Sequence, residues 1–263
     1  MILFRVLLVL FLVLVTYSSV LAGNFGVGAH IGYGVFKHKE IDKGQEARST
    51  QDVILFGVSG EYSFVKPDKF FVGITTDWTI GLEDKEEWTV NDTQVLTNDI
   101  KITGQFYDLR FGYKNSFDRF YYRFYVSGGW DGLYFKRKNF TRGNANVPSG
   151  RNTRDYSLWR TGLGTGFGYR LGRWALDARA AYSYNPIVDV DDSALSQFTF
   201  DTSGTCLDMG FGIARRITDT LGFYAGGSYT LIKLDKSDVI NGFFIPETET
   251  RLLAGVINLT YAF

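Results

Sequence analysis

Residues Thr250 to Phe263 read TRLLAGVINLTYAF, and their alternation decides how the rest of the chain is read. From Leu253 the odd positions are Leu253, Gly255, Ile257, Leu259, Tyr261 and Phe263. Between them stand Ala254, Val256, Asn258, Thr260 and Ala262. A period of two with one apolar face is a strand signal. A soluble sheet has little reason to finish on Tyr-x-Phe. A transmembrane barrel does, because aromatic rings girdle its outer surface where hydrocarbon meets headgroups. This reading requires strands of the same grammar upstream and an export signal at the start.

Working outward, Arg5 precedes an apolar run from Val6 to Val15, and Val20-Leu21-Ala22 offers small residues before Gly23. Residues 1–22 are therefore expected to be a signal peptide, with one barrel domain over 23–263. The run is shorter than the roughly 20 apolar residues of a spanning helix. The single cysteine, Cys206, excludes an intrachain disulfide and says nothing of redox chemistry. Aromatics make up 17% of the chain, with Gly 30 and Pro only 4, which suits strands and tight turns. Lys+Arg and Asp+Glu balance at 28 each, so nothing points to nucleic acid.

The pattern predicts ten antiparallel strands in an all-β, up-and-down transmembrane barrel. The first covers about Asn24 to Lys39. Later ones carry apolar faces such as Ile54–Phe64, Phe70–Leu82, Phe120–Tyr134, Trp159–Leu171 and Trp174–Tyr184. Short turns are expected at Lys66–Lys69, Lys114–Asp118, Leu171–Arg173 and Arg216–Thr220. Five long loops are expected near Glu40–Thr50, Glu83–Asn98, Arg137–Asn152, Pro186–Thr202 and Asp235–Glu249. Long and short connections alternate, as in outer-membrane barrels with long extracellular loops and short periplasmic turns, and an even strand count puts both termini in the periplasm. The opposite, inward parity collects Glu61, Asp77, Asp108, Arg110, Arg123, Asp131, Arg160, Arg170, Asp177, Arg179 and Asp208 among glycines. Ten strands enclose a narrow lumen, so these charges are expected to pair and fill it.

Strand number and loop rhythm resemble those of the omptins, ten-stranded outer-membrane proteases. The likeness is sharpest in GFGYRLGRWALDARAAYSYNPIVDVDD (166–192), RRITDTLGFYAGGSYTLIKLDKSD (215–238) and the ending AGVINLTYAF. That ending also resembles the C-terminal strand of outer-membrane barrels, whose terminal Phe is read by the assembly machinery. The resemblance implies a mouth at which one acidic pair and an Asp-x-His pair activate water. Asp77, Glu83 and Asp84 stand in the region of the first pair, and Asp191 and Asp192 in that of the second. The family's histidine is not matched: the chain holds only His30 and His38.

Each candidate also has a plain reading. Asp77 can pair with Arg110 or Arg123, His30 can bond a neighbouring strand, and His38 can be a surface-loop residue. Glu83, Asp84, Asp189, Asp191 and Asp192 can be solvated loop charges. The leading expectation is thus a bacterial outer-membrane barrel with a filled lumen whose loops bind an extracellular ligand. A surface endopeptidase using Asp77, Glu83, Asp84, Asp191, Asp192 and His38 is the second, and a small channel the third. Omptins bind lipopolysaccharide through basic surface residues, for which Lys136, Arg137, Lys138 and Arg142 are candidates here. No cofactor or metal-ligand cluster is expected.

Overall fold

The computed structural model describes residues 25–64, 69–143, 145–147 and 150–263. The expected signal peptide and cleavage point lie outside them, as does most of the expected turn at Lys66–Lys69. The strands are β1 (Phe25–Asp42), β2 (Gln45–Phe64), β3 (Phe70–Gly81), β4 (Asp84–Val90), β5 (Thr93–Phe117) and β6 (Phe120–Arg142). They continue with β7 (Ala145–Asn146), β8 (Asn152–Leu171), β9 (Trp174–Asp192), β10 (Thr199–Arg216), β11 (Leu221–Leu234) and β12 (Glu247–Ala262). Adjacent strands pair antiparallel, and β12 closes the ring on β1 from Gly26↔Ala262 to Ile41↔Glu247.

The wall has ten positions, not twelve. β3 pairs with β2 over Val53–Phe64, and β4 pairs with β2 over Gln45–Ser49, so β3 and β4 share one position interrupted at Leu82–Glu83. β7 adds two residues beside the end of β6. Closure leaves no edge through the apolar zone, so every backbone group there is satisfied within the wall.

One end, here the lower, carries both barrel termini and the short turns at Asp118–Arg119, Gly172–Arg173 and Ile217–Thr220. The upper end differs from the sequence expectation. Most of the expected long loops are strand. β1 and β2 meet in a two-residue turn at Lys43–Gly44 (φ 41° and 83°), and β4 and β5 at Asn91–Asp92 (φ 47° and 63°). Two positive φ values in a row match the right-handed twist of the flanking strands, and Gly, Asn and Asp tolerate them best. The fourth connection holds a 3-10 turn at Ser193–Leu195, capped by Asp192 Oδ1 accepting from Ala194 N at 2.9 Å.

Inside and outside exchange roles along the wall. In the lower two-thirds, Ile31, Tyr33, Phe56, Leu109, Phe111, Leu163, Phe167 and Leu259 face outward and are exposed, forming an apolar belt. Aromatic neighbours stack along it, as at Phe56–Trp78 (5.6 Å) and Tyr107–Trp130 (5.6 Å). Above the belt the outward positions turn polar, with Lys37, Lys39, Arg48, Lys101, Lys136, Asp155, Asp191 and Arg251. There the apolar residues point inward instead. Phe36, Val53, Ile100, Ile102, Phe135, Leu158, Val188, Val190 and Phe200 are at most 1% exposed and share one cluster. At ~1.5–3 kcal/mol per buried large apolar side chain, this core makes the upper barrel a water-soluble sandwich in all but topology.

Candidate functional site

The inward positions just above that core carry the most concentrated ionic chemistry in the chain. Arg137 on β6 donates to Glu86 on β4 through Nε (2.7 Å) and Nη2 (3.0 Å), and to Glu40 on β1 through Nη2 (2.5 Å). Arg154 on β8 reaches the other Glu40 oxygen at 2.7 Å and Asp192 on β9 at 2.7 Å. Glu86, Arg137, Glu40, Arg154 and Asp192 thus form one chain of ion pairs across the lumen, linking five strands. Its members are buried: Glu86 0%, Arg137 2%, Glu40 3%, Asp192 3% and Arg154 9% exposed. His38 lies at its edge, 2.9 Å from Thr250 Oγ1 and 3.3 Å from Glu40 Oε1, with its ring 4.4 Å from that of Phe135.

The electrostatics follow from burial and pairing. Burial alone would raise the Glu40 carboxyl, but Arg137 and Arg154 outweigh it and hold Glu40 well below its ordinary 4.5. Burial likewise opposes the charge on Arg137, yet Glu40 and Glu86 keep it charged more firmly than in water. Burial pushes the Tyr156 hydroxyl up to about 12, with Arg154 opposing. All these groups sit above the belt, level with outward Lys37, Lys39 and Arg48. A roof covers them. Ile245, in the last upper connection, is 1% exposed in the core, and Phe243 of the same segment stacks on Phe198 at 5.9 Å.

Below the core a second network centres on Arg160. Its guanidinium lies 3.3 Å from Asp131, 3.5 Å from Asp108 and 3.3 Å from Asp208. Thr230 donates to Asp208 at 2.7 Å, and Arg110 pairs with Asp108. Lower still the lumen opens into a cavity of about 820 Å³ whose lining includes His30, Glu61, Asp77, Tyr121, Arg123, Asp177 and Arg179. His30 Nε2 meets Asp77 Oδ1 there at 2.6 Å, across Gly57, where a side chain would occupy their meeting point.

The expected site residues are dispersed. Asp77 pairs with His30, not with Arg110 or Arg123, and it faces the lower cavity instead of the mouth. Glu83 lies at the β3–β4 interruption and pairs with Lys138 at 2.8 Å. Asp84 accepts from the Lys85 backbone N–H at 2.7 Å. Asp191 is exposed on the outer wall and accepts from Thr199 at 3.0 Å, whereas its neighbour Asp192 points inward to Arg154. His38 is buried, not a surface-loop histidine, and contacts neither Asp77 nor Asp191. The expected basic group also splits by parity. Arg137 turns into the lumen, Lys136 and Lys138 face out, and Arg142 is exposed at the end of β6.

Glu40, Glu86 and Arg154 were not singled out from the sequence. The available signal was parity: Glu40 shares a face with Phe36, and Arg154 with Tyr156 and Leu158. An ionisable residue on the apolar face of a strand needs a partner. Among the described residues, no group of three His, Cys, Asp or Glu side chains is placed to hold a metal ion.

No family model matches the chain, and no curated protein matches it in sequence. Solved structures do. The outer membrane protease OmpT from Escherichia coli is similar with a TM-score of 0.67 at 11% identity, over 91% of this chain and 97% of that one. The translocator domain of the autotransporter NalP from Neisseria meningitidis aligns at a TM-score of 0.45 and 12% identity, over 92% and 89%. The likeness to OmpT is one of fold: the chain folds as an outer-membrane β-barrel.

Proposed function

We propose that this protein is a sealed barrel of a bacterial outer membrane that displays its upper wall outside the cell for binding, and neither cuts peptides nor conducts solutes. In this reading the short turns and both termini are periplasmic. The belt of outward Ile, Leu, Phe and Tyr supports a lipid setting, since charges on that face would be costly. The observation that carries the proposal is the filled upper lumen. An apolar core topped by saturated ion pairs occupies the place where a mouth active site would have to admit a peptide and a water.

General acid–base catalysis needs a carboxylate or imidazole within hydrogen-bond reach of substrate. Glu40 and Glu86 have both oxygens committed to guanidinium groups, Asp192 gives one to Arg154 and the other to Asn152 and the Ala194 N–H, and His38 is packed between Thr250, Glu40 and Phe135. The exposed carboxylates lie outside that core, Glu83 just before β4, Asp84 at its start and Asp191 on β9.

Outward Lys37 and Lys39 on β1, Lys101 on β5 and Lys136 and Lys138 on β6 stand above the belt. This height suits the phosphates of lipopolysaccharide, which ammonium groups bind by charge-assisted hydrogen bonds. Arg137, turned inward, takes no part. The aromatic end of β12 suits recognition by the barrel-assembly machinery, and the extracellular ligand would meet the tips of β4–β5 and β6.

The test is incubation of folded protein with dibasic and unbiased peptide libraries, beside an Asp77→Asn, Asp191→Asn double variant. No cleavage by either is expected. Cleavage by the parent that disappears in the double variant would overturn the reading.

A further inference from the structure

The lower cavity has an imbalance of charge that the binding reading leaves unused. Among the described residues, seven arginines line it or its rim, against four carboxylates. Those carboxylates that face the interior are already engaged. Glu61 accepts from Lys114 at 2.6 Å, Asp177 accepts from Tyr121 Oη at 3.0 Å and lies 3.6 Å from Arg123, and Asp77 holds His30. Among the described residues, neither Arg170 nor Arg179 has a carboxylate within 4 Å. Arg170 stacks over the Tyr121 ring at 5.4 Å, and both side chains are solvent-exposed toward the cavity.

Two of the lining arginines run over glycines. A side chain at Gly210 would come within 2.7 Å of Arg179 Nε, and one at Gly166 within 2.9 Å of Arg123 Cγ. The stems of Arg179 and Arg123 therefore lie across glycines of the neighbouring strands, with their heads at the cavity. Arg216 and Arg173 stand at the open rim, tied by the Arg216 N–H donating to the Arg173 carbonyl at 2.8 Å.

From this placement we infer that the lower cavity is a binding site for a small, multiply charged anion bearing phosphate or carboxylate groups, entering from the short-turn end. Arg170 and Arg179 are its principal contacts, and Arg123 lines its wall. Planar guanidinium forks match such oxygens two at a time. A cavity of about 820 Å³ takes a molecule of metabolite size with water around it.

Titration calorimetry of the folded full chain in neutral micelles, with inorganic pyrophosphate at fixed ionic strength, tests this. Micelles leave both ends open, so the result does not depend on orientation in a membrane or on the proposed display function. One saturating ligand per barrel is expected, with affinity at least about tenfold lower in an Arg170→Gln, Arg179→Gln variant. Should that variant not fold, as read by heat-modifiable gel mobility, Arg170→Gln alone is expected to weaken binding several-fold. Competition by citrate assigns the site to polyanions in general, and its failure assigns it to phosphate. Absence of saturable binding overturns the proposal, as does unchanged affinity in the lumen variants. So does an equal loss in an outer-wall Lys37→Gln, Lys136→Gln variant.

Discussion

The upper and lower halves of the lumen are built from the same ten-position wall, yet they are filled in opposite ways. The upper half is close-packed. Phe36, Phe135, Leu158 and Phe200 pack against one another at 0–1% exposure, and the charges above them are saturated by direct pairing. The lower half is open, with looser pairs such as Arg123–Asp177 at 3.6 Å and Arg123–Glu61 at 3.9 Å beside the cavity. The difference teaches where each half finds its stability. Below, the outward belt lies in hydrocarbon and the wall needs no inner core, so polar residues and water can occupy the lumen. Above, the wall stands in water on its outer side and must bury apolar surface inward, as any soluble sheet does.

This contrast can be broken most severely at Arg137. An Arg137→Ala variant leaves Glu86 and Glu40 partly unpaired and is expected to destabilise the barrel by about 3–5 kcal/mol in urea unfolding. Truncating the core comes next. Leu158→Ala, at a fully buried position, is expected to cost about 2–4 kcal/mol through lost burial and a residual cavity. The same equilibrium measurement on the lower half should give far less. Tyr121→Phe removes one hydrogen bond to Asp177 and is expected to cost about 0.5–1.5 kcal/mol. Arg123→Gln, a half-exposed group with distant partners, should cost under about 1 kcal/mol. Equal costs in the two halves would erase the distinction.

Acid sharpens the comparison without mutation. Glu40 has a folded-state value below its ordinary 4.5, so the folded state binds fewer protons than the unfolded state in that range. Its contribution is complete above about pH 4.5 and is lost as pH falls through the lower, folded-state value. Trp88, whose Nε1 donates to Asn98 and whose ring lies 5.6 Å from Arg137, reports on this region. Its fluorescence is expected to shift as acidification passes below the ordinary 4.5 of Glu40 and through its lower folded-state value, while Trp174 in the belt stays unchanged. A simultaneous shift of both would mean that the halves do not respond separately.

The belt and the closure were legible in the sequence because one face of each strand is continuously apolar, as in Leu253–Phe263 and Phe120–Val126. The inward charges Asp108, Arg110, Asp131 and Arg160 were legible by the same parity. The upper wall was not. At the belt's top the apolar stripe changes face: Trp130 and Tyr134 look outward, whereas Leu133 and Phe135 look inward. An alternation that reverses its sense reads as irregular, so the strand extensions look like loops in the sequence. Glu40 and Arg154 fall within those stretches, and His38 reads there as a surface residue. Their partners lie on strands far away in sequence, with Glu40 and Arg154 standing 114 positions apart. Pairing at that range depends on barrel closure, which no local pattern encodes.

If the upper core seals the lumen, ions do not pass through the barrel. Purified protein reconstituted into planar bilayers at about neutral pH should give a silent record, without conductance steps, because the apolar core offers an ion no hydration. Reproducible stepwise conductance from the unmodified protein would mean that the upper core leaves the lumen open.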